Sequence, residues 1–292
     1  SVIEDKKINL DSIKLNASDF KTSDLVKIEV EDFLICPRYT CRIVKNVKVG
    51  ESPDWLKSKL AAIGYKSINN IVDLANYIML DLGQPLHTFD YDKIKGQKIK
   101  VRYADKDEKI VCLDNQVKKL SKKDIVIADS AEPIAIAGII GGKNTEVDEN
   151  TVNILIESAV FDEIHVRRSA KKYGYTTDAS KRFERGIDFS NSVYVMDKYV
   201  KLLQDQLDVQ AGQDYIDVKE QDFKNKEIKL SLKKCNDFLG TNLTHEECKK
   251  ILDKLEIGSF YDSESYNCII PSYRNDLSRE VDLFEEIARV YG

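Results

Sequence analysis

A change in the spacing of apolar residues most constrains the fold of this chain. Between residues 71 and 82 the apolar residues recur at the helical period, and Gly83 follows them. From residue 98 to residue 161 the chain instead holds short β-branched stretches bounded by Asp, Asn, Pro and Gly, a pattern typical of strands. The helical period returns in 162–174 and 189–207. Strands followed by flanking helices predict an α+β domain of about 170 residues.

The length and the polar stretches indicate how the chain is divided. A chain of 292 residues predicts about two domains. The polar stretch 211–227 is the best linker. We therefore predict the tail of an upstream module and a connector at 1–37, a larger domain at 38–212 and a small α+β module at 213–292. Because the chain begins at Ser1 and not at methionine, we expect it to be a piece of a longer protein.

Composition narrows the classes of function. The formal charge of -5 argues against a surface that binds nucleic acid everywhere, but it leaves room for a local basic patch. No apolar run approaches the roughly 20 residues that span a bilayer, and the N-terminal stretch has no signal-peptide pattern. The six cysteines form no C-x-x-C pair and the histidines number three, so no zinc site is predicted. Buried, reduced thiols and a cytoplasmic protein without membrane contact are expected.

Two polar residues lie in apolar surroundings. His87 follows Gly83 and Pro85 in LGQPLHTFD, where the chain leaves a predicted helix. Glu157 lies in NILIESAVF, inside an apolar strand, where a carboxylate is costly unless it faces a partner or a polar pocket. Both residues also have an ordinary interpretation. His87 could be a structural histidine, and Glu157 could be a strand-end residue that points at solvent.

Two further segments allow two interpretations each. The segment AGIIGG (137–142) lacks the Lys and Ser/Thr of a phosphate loop, and its glycines permit close approach of a ligand or of another strand. The segment 167–186 carries seven basic and two acidic residues, a local charge of +5, with Tyr173, Tyr175 and Phe183 among them. Cations neutralise phosphates and aromatic rings stack on unpaired bases. A solvated helix face with core aromatics is the alternative.

Acidic residues gather near the C-terminal helix. Asp276, Asp282, Glu285 and Glu286 offer oxygen ligands of the kind that suit a magnesium ion. Acids at a helix start are also favoured by the helix dipole alone, so the pattern has a plain structural explanation as well.

Five ordered segments resemble the β subunit of bacterial phenylalanine–tRNA ligase. They are NNIVDLANYIMLDLGQPLHTFD, AGIIGG, IESAVFD, RRSAKKYGYTTDASKRFERGID and PSYRNDLSREVDLFEEIARVYG. The resemblance covers about 39–292. It implies that the larger domain is a mixed-sheet editing domain that hydrolyses tyrosyl-tRNA(Phe), and that the small module resembles DNA-binding helical domains. Editing is needed because a pocket for Phe rejects poorly an analogue that only adds a hydroxyl.

The resemblance also implies roles for single residues. His87 and Glu157 are the implied catalytic residues, and Glu157 would read the tyrosine hydroxyl. The other implied substrate-binding residues are Asn76, Gly138, Gly141, Thr177 and Ala179. The implied magnesium ligands, in a site shared with the α subunit, are Asp276, Asp282, Glu285 and Glu286. The expected tRNA contacts in the basic segment are Arg167, Arg168, Lys171, Lys172, Lys181 and Arg182. Ala75 stands where relatives often carry Thr, so one polar contact to the amino acid is expected to be missing or replaced by water.

The implied partners are tRNA(Phe) and the α subunit, in a heterotetramer of two α and two β subunits. The ATP-dependent attachment of Phe to tRNA(Phe) would take place in the α subunit, so this chain alone is not expected to charge tRNA. Two alternatives remain at this point. One is a non-catalytic scaffold with a decayed editing site that docks tRNA or the α subunit. The other is a module that binds duplex nucleic acid through its last helices.

Overall fold

The computed structural model describes residues 12–16 and 18–292 and divides the chain into two compact units. The larger unit runs from Ile13 to Gln221, and Asp222–Gly292 belong to the smaller one. The division lies inside the polar stretch 211–227. Of the predicted N-terminal tail, residues 1–11 lie outside the described residues, and 13–37 belong to the larger unit.

The larger unit alternates short strands with helices. Its strands in chain order are β1 (Lys27–Val30), β2 (Arg38–Lys45), β3 (His87–Asp90), β4 (Lys98–Tyr103), β5 (Lys109–Val111), β6 (Val117–Lys119), β7 (Ile125–Ala128), β8 (Pro133–Ile136), β9 (Ile140–Gly141), β10 (Ile154–Val160), β11 (Gln210–Ala211) and β12 (Ile216–Lys219). Its helices are α1 (Asp54–Ala61), α2 (Asn70–Leu82), α3 (Glu163–Tyr173), α4 (Asp178–Phe183) and α5 (Ser192–Gln206). This mixture confirms the predicted α+β class.

Two five-stranded sheets form the framework of the larger unit. The first has the order β1-β4-β7-β8-β9, and β1 pairs with β4 in parallel while its other pairs are antiparallel, so the sheet is mixed. This pairing explains why 13–37 belong to the larger unit and not to a separate tail. The second sheet has the order β11-β2-β10-β3, with β12 also paired to β2. β5 and β6 form a separate hairpin. Two clusters of buried apolar side chains fill the interior.

Local signals mark both ends of α2, and the helix ends where the sequence predicts. The Asn69 side chain accepts hydrogen bonds from the backbone N–H groups of Ile71 and Val72, which caps the first turn. Gly83 closes the helix in the left-handed conformation, with φ of +77°, which costs a glycine little. The chain then passes Pro85 and enters β3 at His87. The end of this helix thus fixes the position of the histidine.

The strand β10 lies at the centre of the second sheet, between β2 and β3, and all of its residues are buried. In its pairing with β3, Glu157 stands opposite His87. Residues directly opposite in an antiparallel pair project from the same face of the sheet. The pairing therefore places these two side chains next to each other, although they are far apart in sequence.

The small unit is a second α+β module, as predicted. Its elements are β13 (Lys226–Leu230), α6 (Leu232–Leu239), α7 (His245–Lys254), β14 (Gly258–Tyr261), β15 (Tyr266–Ile270) and α8 (Glu280–Tyr291). The strands form an antiparallel sheet in the order β13-β15-β14. Thr244 and Glu247 form a capping box at the start of α7. A cluster of buried apolar side chains gives the module a core of its own.

Two expectations from composition can be compared with the fold. All six cysteines are free and buried, as expected for reduced thiols. Within the part of the chain that the structure describes, no helix combines the length and the apolar character that crossing a membrane requires.

Candidate functional site

Two neighbouring cavities meet at His87. The inner cavity has a volume of about 70 Å³, and Glu157, Gly138 and Phe183 are among its lining residues. The outer cavity has a volume of about 450 Å³. The two cavities share six lining residues, namely Leu86, His87, Ile139, Ile140, Gly141 and Ala179. The arrangement is a two-part site with a small inner end and a wider outer end.

The carboxyl group of Glu157 is held by one neighbour. The Tyr39 hydroxyl donates to Glu157 Oε2 at 2.8 Å, and both side chains are buried. Among the residues that the structure describes, no second donor reaches this carboxyl group. Burial raises the pKa of Glu157 to about 8, although the Tyr39 hydrogen bond opposes the rise. Glu157 therefore has a free hydrogen-bonding capacity beside the inner cavity.

His87 is neutral at pH 7 in this setting. Burial lowers the pKa of its imidazole to about 4, because the site solvates the charged form poorly. Its ring lies edge-on against Phe89, with 4.4 Å between the centroids. Within the described part of the chain, neither ring nitrogen has a hydrogen-bond partner. A neutral imidazole with free nitrogens can accept a proton or hold a water molecule.

Two glycines of AGIIGG act in different ways. A Cβ atom at Gly141 would lie 2.6 Å from Cε1 and 2.8 Å from Nε2 of His87, which is too close for any side chain. Gly141 therefore leaves room for the imidazole itself. Gly138 has φ of +69°, and a Cβ atom there would lie 3.0 Å from Phe183 Cδ2. Close packing thus explains Gly138, and proximity to the candidate site explains Gly141.

The segment TTDAS begins α4, a helix that the sequence analysis did not predict. Thr177 caps this helix: its Oγ1 accepts from the Ser180 N–H at 3.0 Å and donates to the Ile139 carbonyl at 3.1 Å. Its hydroxyl is thus already used by the fold. Ala179, in the first turn, lines both cavities, whereas Asn76 and Ala75 line the outer one. The expected substrate-binding residues therefore all line one cavity or the other.

Sequence reasoning missed several residues of the site. Tyr39 carries no anomaly in its own strand, and its role depends on the pairing of β2 with β10. Leu86, Ile139 and Ile140 line both cavities, but they resemble ordinary core residues in the sequence. Tyr65 lines the outer cavity, and its hydroxyl donates to Asp178 in α4. No local pattern distinguishes these residues from others of the same type.

The basic residues of 167–186 lie in two places. Arg168 and Lys172 line a third cavity of about 430 Å³, together with Lys122 and Lys123. Lys181 and Arg182 lie near Asp178, at the outer cavity. On α3, Arg167, Arg168 and Lys171 are exposed. Exposed cations near cavities fit contact with phosphates.

A buried acid lies beneath the third cavity. Asp124 accepts hydrogen bonds from Lys172 Nζ at 2.6 Å, the Tyr173 hydroxyl at 2.6 Å and the Ser169 hydroxyl at 2.7 Å. Ser121 donates two more, from its backbone N–H and its hydroxyl. Burial alone would raise the pKa of Asp124, but these donors outweigh it and lower the pKa to about 2.

Three of the four expected magnesium ligands already have protein partners in this arrangement. Asp276 pairs with Arg274, and Glu286 pairs with Arg274 and Arg289. Asp282 caps α8 by accepting from the backbone N–H of Arg279. Glu285 is exposed. In the described residues, no group of three or more His, Cys, Asp or Glu could hold a metal ion. Arginine neutralises the charges that the ion was expected to balance, and the magnesium site stays a prediction.

Comparisons with known proteins agree with this organisation. The B3/4 domain family matches residues 35–208, and the tRNA synthetase B5 domain family matches 228–292. The phenylalanine–tRNA ligase β subunit of Protochlamydia amoebophila is 46% identical over 91% of this chain and 33% of its own length. That of Fusobacterium nucleatum is 41% identical over 98% of this chain and 36% of its own length. The chain thus spans about a third of these relatives.

Solved structures match as well. One of them is an N-terminal fragment of the phenylalanyl-tRNA synthetase β subunit from Pyrococcus horikoshii, with a TM-score of 0.44 and 18% identity, over 97% of this chain and 78% of that one. This likeness is too low to carry an argument. The family matches, which cover both units, and the sequence identity to the bacterial subunits are sufficient. The chain belongs to the phenylalanine–tRNA ligase β subunit family, of which it carries the B3/4 and B5 domains.

Proposed function

We propose that the larger unit is an editing hydrolase that cleaves the ester of tyrosyl-tRNA(Phe). One observation carries the proposal: Glu157 and His87 stand side by side where a small inner cavity meets a larger outer one. Such a site can hold an amino-acid side chain at one end and the end of a tRNA at the other. The ester bond between them would then lie near His87.

The inner cavity would select tyrosine through Glu157. A tyrosine hydroxyl that enters this cavity can pair with the free capacity of the Glu157 carboxyl group. Phenylalanine fills the same space but leaves the second oxygen of the buried carboxyl group unpaired, which costs about 1–3 kcal/mol. The correct product, phenylalanyl-tRNA(Phe), would thus be spared. Ala179 and Gly138 line the space for the aromatic ring, and Gly141 leaves room for His87.

The outer cavity would hold the terminal nucleotide and the attacking water. Its volume of about 450 Å³ lies in the usual range for small-molecule sites. Asn76 offers an amide to the bound ester, and Ala75 leaves a place for water where a hydroxyl is absent. Neutral His87 would hold the water or take its proton. Much of the rate would come from the placement of this water and of the substrate's own ribose hydroxyl.

The basic residues would guide the tRNA to the site. We propose that Lys181 and Arg182 contact phosphates near the outer cavity, and that the exposed cations of α3 contact the backbone farther away. The residues of this second group are Arg167, Arg168, Lys171 and Lys172. Lys172 has a double role, because it also pairs with Asp124.

This reaction would take place within a larger enzyme. We propose that the chain acts in a phenylalanine–tRNA ligase with an α subunit, in a heterotetramer of two α and two β subunits in the cytoplasm. ATP-dependent charging of tRNA(Phe) would belong to the α subunit. A magnesium ion bound at the small unit would require residues of that subunit, and the arginine pairs of Asp276 and Glu286 would have to open.

Deacylation of tyrosyl-tRNA(Phe), with phenylalanyl-tRNA(Phe) as the control, tests the proposal. We expect selective hydrolysis of the tyrosyl ester by the wild type. We expect His87→Ala and Glu157→Ala each to lose most of it, by about 10- to 100-fold, because each removes a hydrogen-bond partner of the substrate or of the water. Full activity in both variants would overturn the site assignment. A wild type that is inactive even in the assembled α and β subunits would favour the non-catalytic scaffold.

A further inference from the structure

We infer that Tyr39 is a specificity-determining residue of this site: its hydroxyl holds one oxygen of Glu157, so that the other oxygen is left to read a hydroxyl on the substrate. The inference rests on the proposed function, because it assigns the selection of tyrosine over phenylalanine to a pair of residues. The comparisons name families and relatives and assign no role to any residue of this chain. Tyr39 acts through Glu157 and does not touch the ester itself.

The pairing of β2 with β10 places Tyr39 beside the Glu157 carboxyl group. In the pairing of β2 with β10, Tyr39 stands opposite Ala159, and Cys41 stands opposite Glu157. Tyr39 and Glu157 are therefore diagonal neighbours on one face, at a spacing of about 7–8 Å that an aromatic side chain bridges. Tyr39 is completely buried, and its hydroxyl lies 2.8 Å from Glu157 Oε2. Glu157 also lines the inner cavity, which does not include Tyr39 among its lining residues.

The proton count explains how one phenol prepares the site for another. A phenol has one hydroxyl proton, and Tyr39 uses it to donate a hydrogen bond to Oε2. A proton on the carboxyl group then favours Oε1, because the unprotonated oxygen is the better acceptor for the Tyr39 hydroxyl. If Glu157 is protonated, Oε1 donates to the hydroxyl oxygen of a bound tyrosine, and if it is ionised, Oε1 accepts the hydroxyl proton. Phenylalanine can do neither. The selection of a hydroxyl is thus the same in both protonation states, provided that Tyr39 keeps Oε2 engaged.

Tyr39→Phe removes this hydrogen bond without changing the volume of the ring. Without it, the carboxyl group can turn and satisfy itself with water, and Oε1 is no longer fixed toward the inner cavity. The matched control is Tyr199→Phe. Tyr199 is also completely buried, and its hydroxyl donates to the Ile71 carbonyl at 3.0 Å. Both substitutions remove one buried hydroxyl, but only the first removes a contact with Glu157.

The first measurement is the affinity of the full 292-residue chain for free L-tyrosine and L-phenylalanine, by titration calorimetry or NMR. The wild type and Tyr199→Phe should prefer tyrosine to the same degree. In Tyr39→Phe this preference should fall by about 10-fold, the usual effect of one buried hydrogen bond. An unchanged preference in Tyr39→Phe would overturn the inference, and so would an equal loss in Tyr199→Phe.

The second measurement follows the Glu157 side chain directly, by NMR of carboxyl carbons in ¹³C-labelled protein. The Tyr39 hydrogen bond lowers the pKa of Glu157 against the effect of burial, so its removal should raise that pKa above about 8. Tyr199→Phe should leave it unchanged. An unchanged pKa in Tyr39→Phe would show that the hydroxyl does not hold the carboxyl group, which would also overturn the inference.

The reaction is tested separately. A wild type that prefers tyrosine in binding but does not hydrolyse tyrosyl-tRNA(Phe) would contradict the proposed function and leave the role of Tyr39 standing. A wild type that hydrolyses this ester selectively, with Tyr39→Phe equally selective between tyrosyl- and phenylalanyl-tRNA(Phe), would support the function and overturn the role of Tyr39. The two failures can therefore be told apart.

Discussion

Glu157 and Asp124 are both carboxylates in the larger unit that are almost fully buried, at 5% and 2% exposed, and both line cavities. Their acidities differ in opposite directions. The pKa of Glu157 is raised to about 8 and that of Asp124 is lowered to about 2. Burial acts on both in the same sense. The difference therefore comes from the groups that donate to them.

The number of donors separates the two sites. Asp124 accepts from Ser121, Ser169, Lys172 and Tyr173, so its charge is compensated by the fold. Glu157 accepts from Tyr39, with no further donor among the residues that the structure describes. A buried polar group that the fold leaves incompletely paired is expensive, and such groups are concentrated at functional sites. A cavity beside a buried carboxyl group therefore indicates a binding site only where that group can still form a hydrogen bond.

Asp124→Ala should produce the largest loss of stability. It removes the common acceptor of four side chains, one of which is charged, and it leaves Lys172 without its acidic partner. Because Lys172 is partly exposed and therefore screened by solvent, we expect a loss of roughly 2–4 kcal/mol in the free energy of unfolding. Urea denaturation measures it. The tyrosyl-ester hydrolysis of the molecules that remain folded should be unchanged, and a selective loss of editing would contradict the contrast with Glu157.

The two acids should also affect stability in different pH ranges. Asp124 has a folded pKa below its unfolded value, so its contribution is present above about pH 4 and is lost as the pH falls toward 2. Glu157 has a folded pKa above its unfolded value near 4.5. Its contribution is therefore complete below that pH and is lost as the pH rises toward 8.

Urea denaturation of the wild type, Glu157→Gln and Asp124→Asn across pH 2 to 9 would separate these effects. The difference in the free energy of unfolding between Glu157→Gln and the wild type should change mainly between about pH 4.5 and 8. The difference for Asp124→Asn should change mainly between about pH 4 and 2. His87 also titrates in the acid range, with its pKa lowered to about 4, and comparison with the wild type removes its contribution. If the difference in unfolding free energy for Glu157→Gln stayed constant above pH 4.5, the raised pKa of Glu157 would be ruled out.

The sequence reveals this contrast only in part. Glu157 could be selected because a carboxylate in an apolar strand is anomalous wherever the strand lies. The end of α2 could be predicted because Gly83 acts on its own neighbours. Tyr39 could not be selected, since its meaning comes from a hydrogen bond to a residue 118 positions away. The acids in and before α8 show the same limit. Their residue types suit a metal ion, but Arg274, on a preceding turn, pairs with Asp276 and Glu286.

Gly141→Ala should affect the site without affecting the sheet. The new methyl group would lie 2.6 Å from the His87 ring, and the ring would have to move out of its position between the two cavities. We expect tyrosyl-tRNA hydrolysis to fall by about 10-fold or more, because small misplacements of a catalytic group are costly. Gly50→Ala is the control, since a methyl group there meets no atom within 4 Å. Equal activity of the two variants would argue against a role for the His87 position.

Charge reversal on α3 should have the smallest effect, and it tests whether the surface near Asp124 serves the same substrate as the Glu157 site. Arg167→Glu and Arg168→Glu should weaken tRNA binding and reduce the salt dependence of log K by about 1 for each lost phosphate contact. Lys48→Glu, another exposed position in the same unit, is the control. Because these cations lie away from the ester, hydrolysis at saturating tRNA should be unchanged. If instead the maximal rate fell and the salt dependence stayed constant, the α3 cations would act on the editing site itself, and the division of the unit into a tRNA-guiding surface and a tyrosine-reading pocket would be wrong.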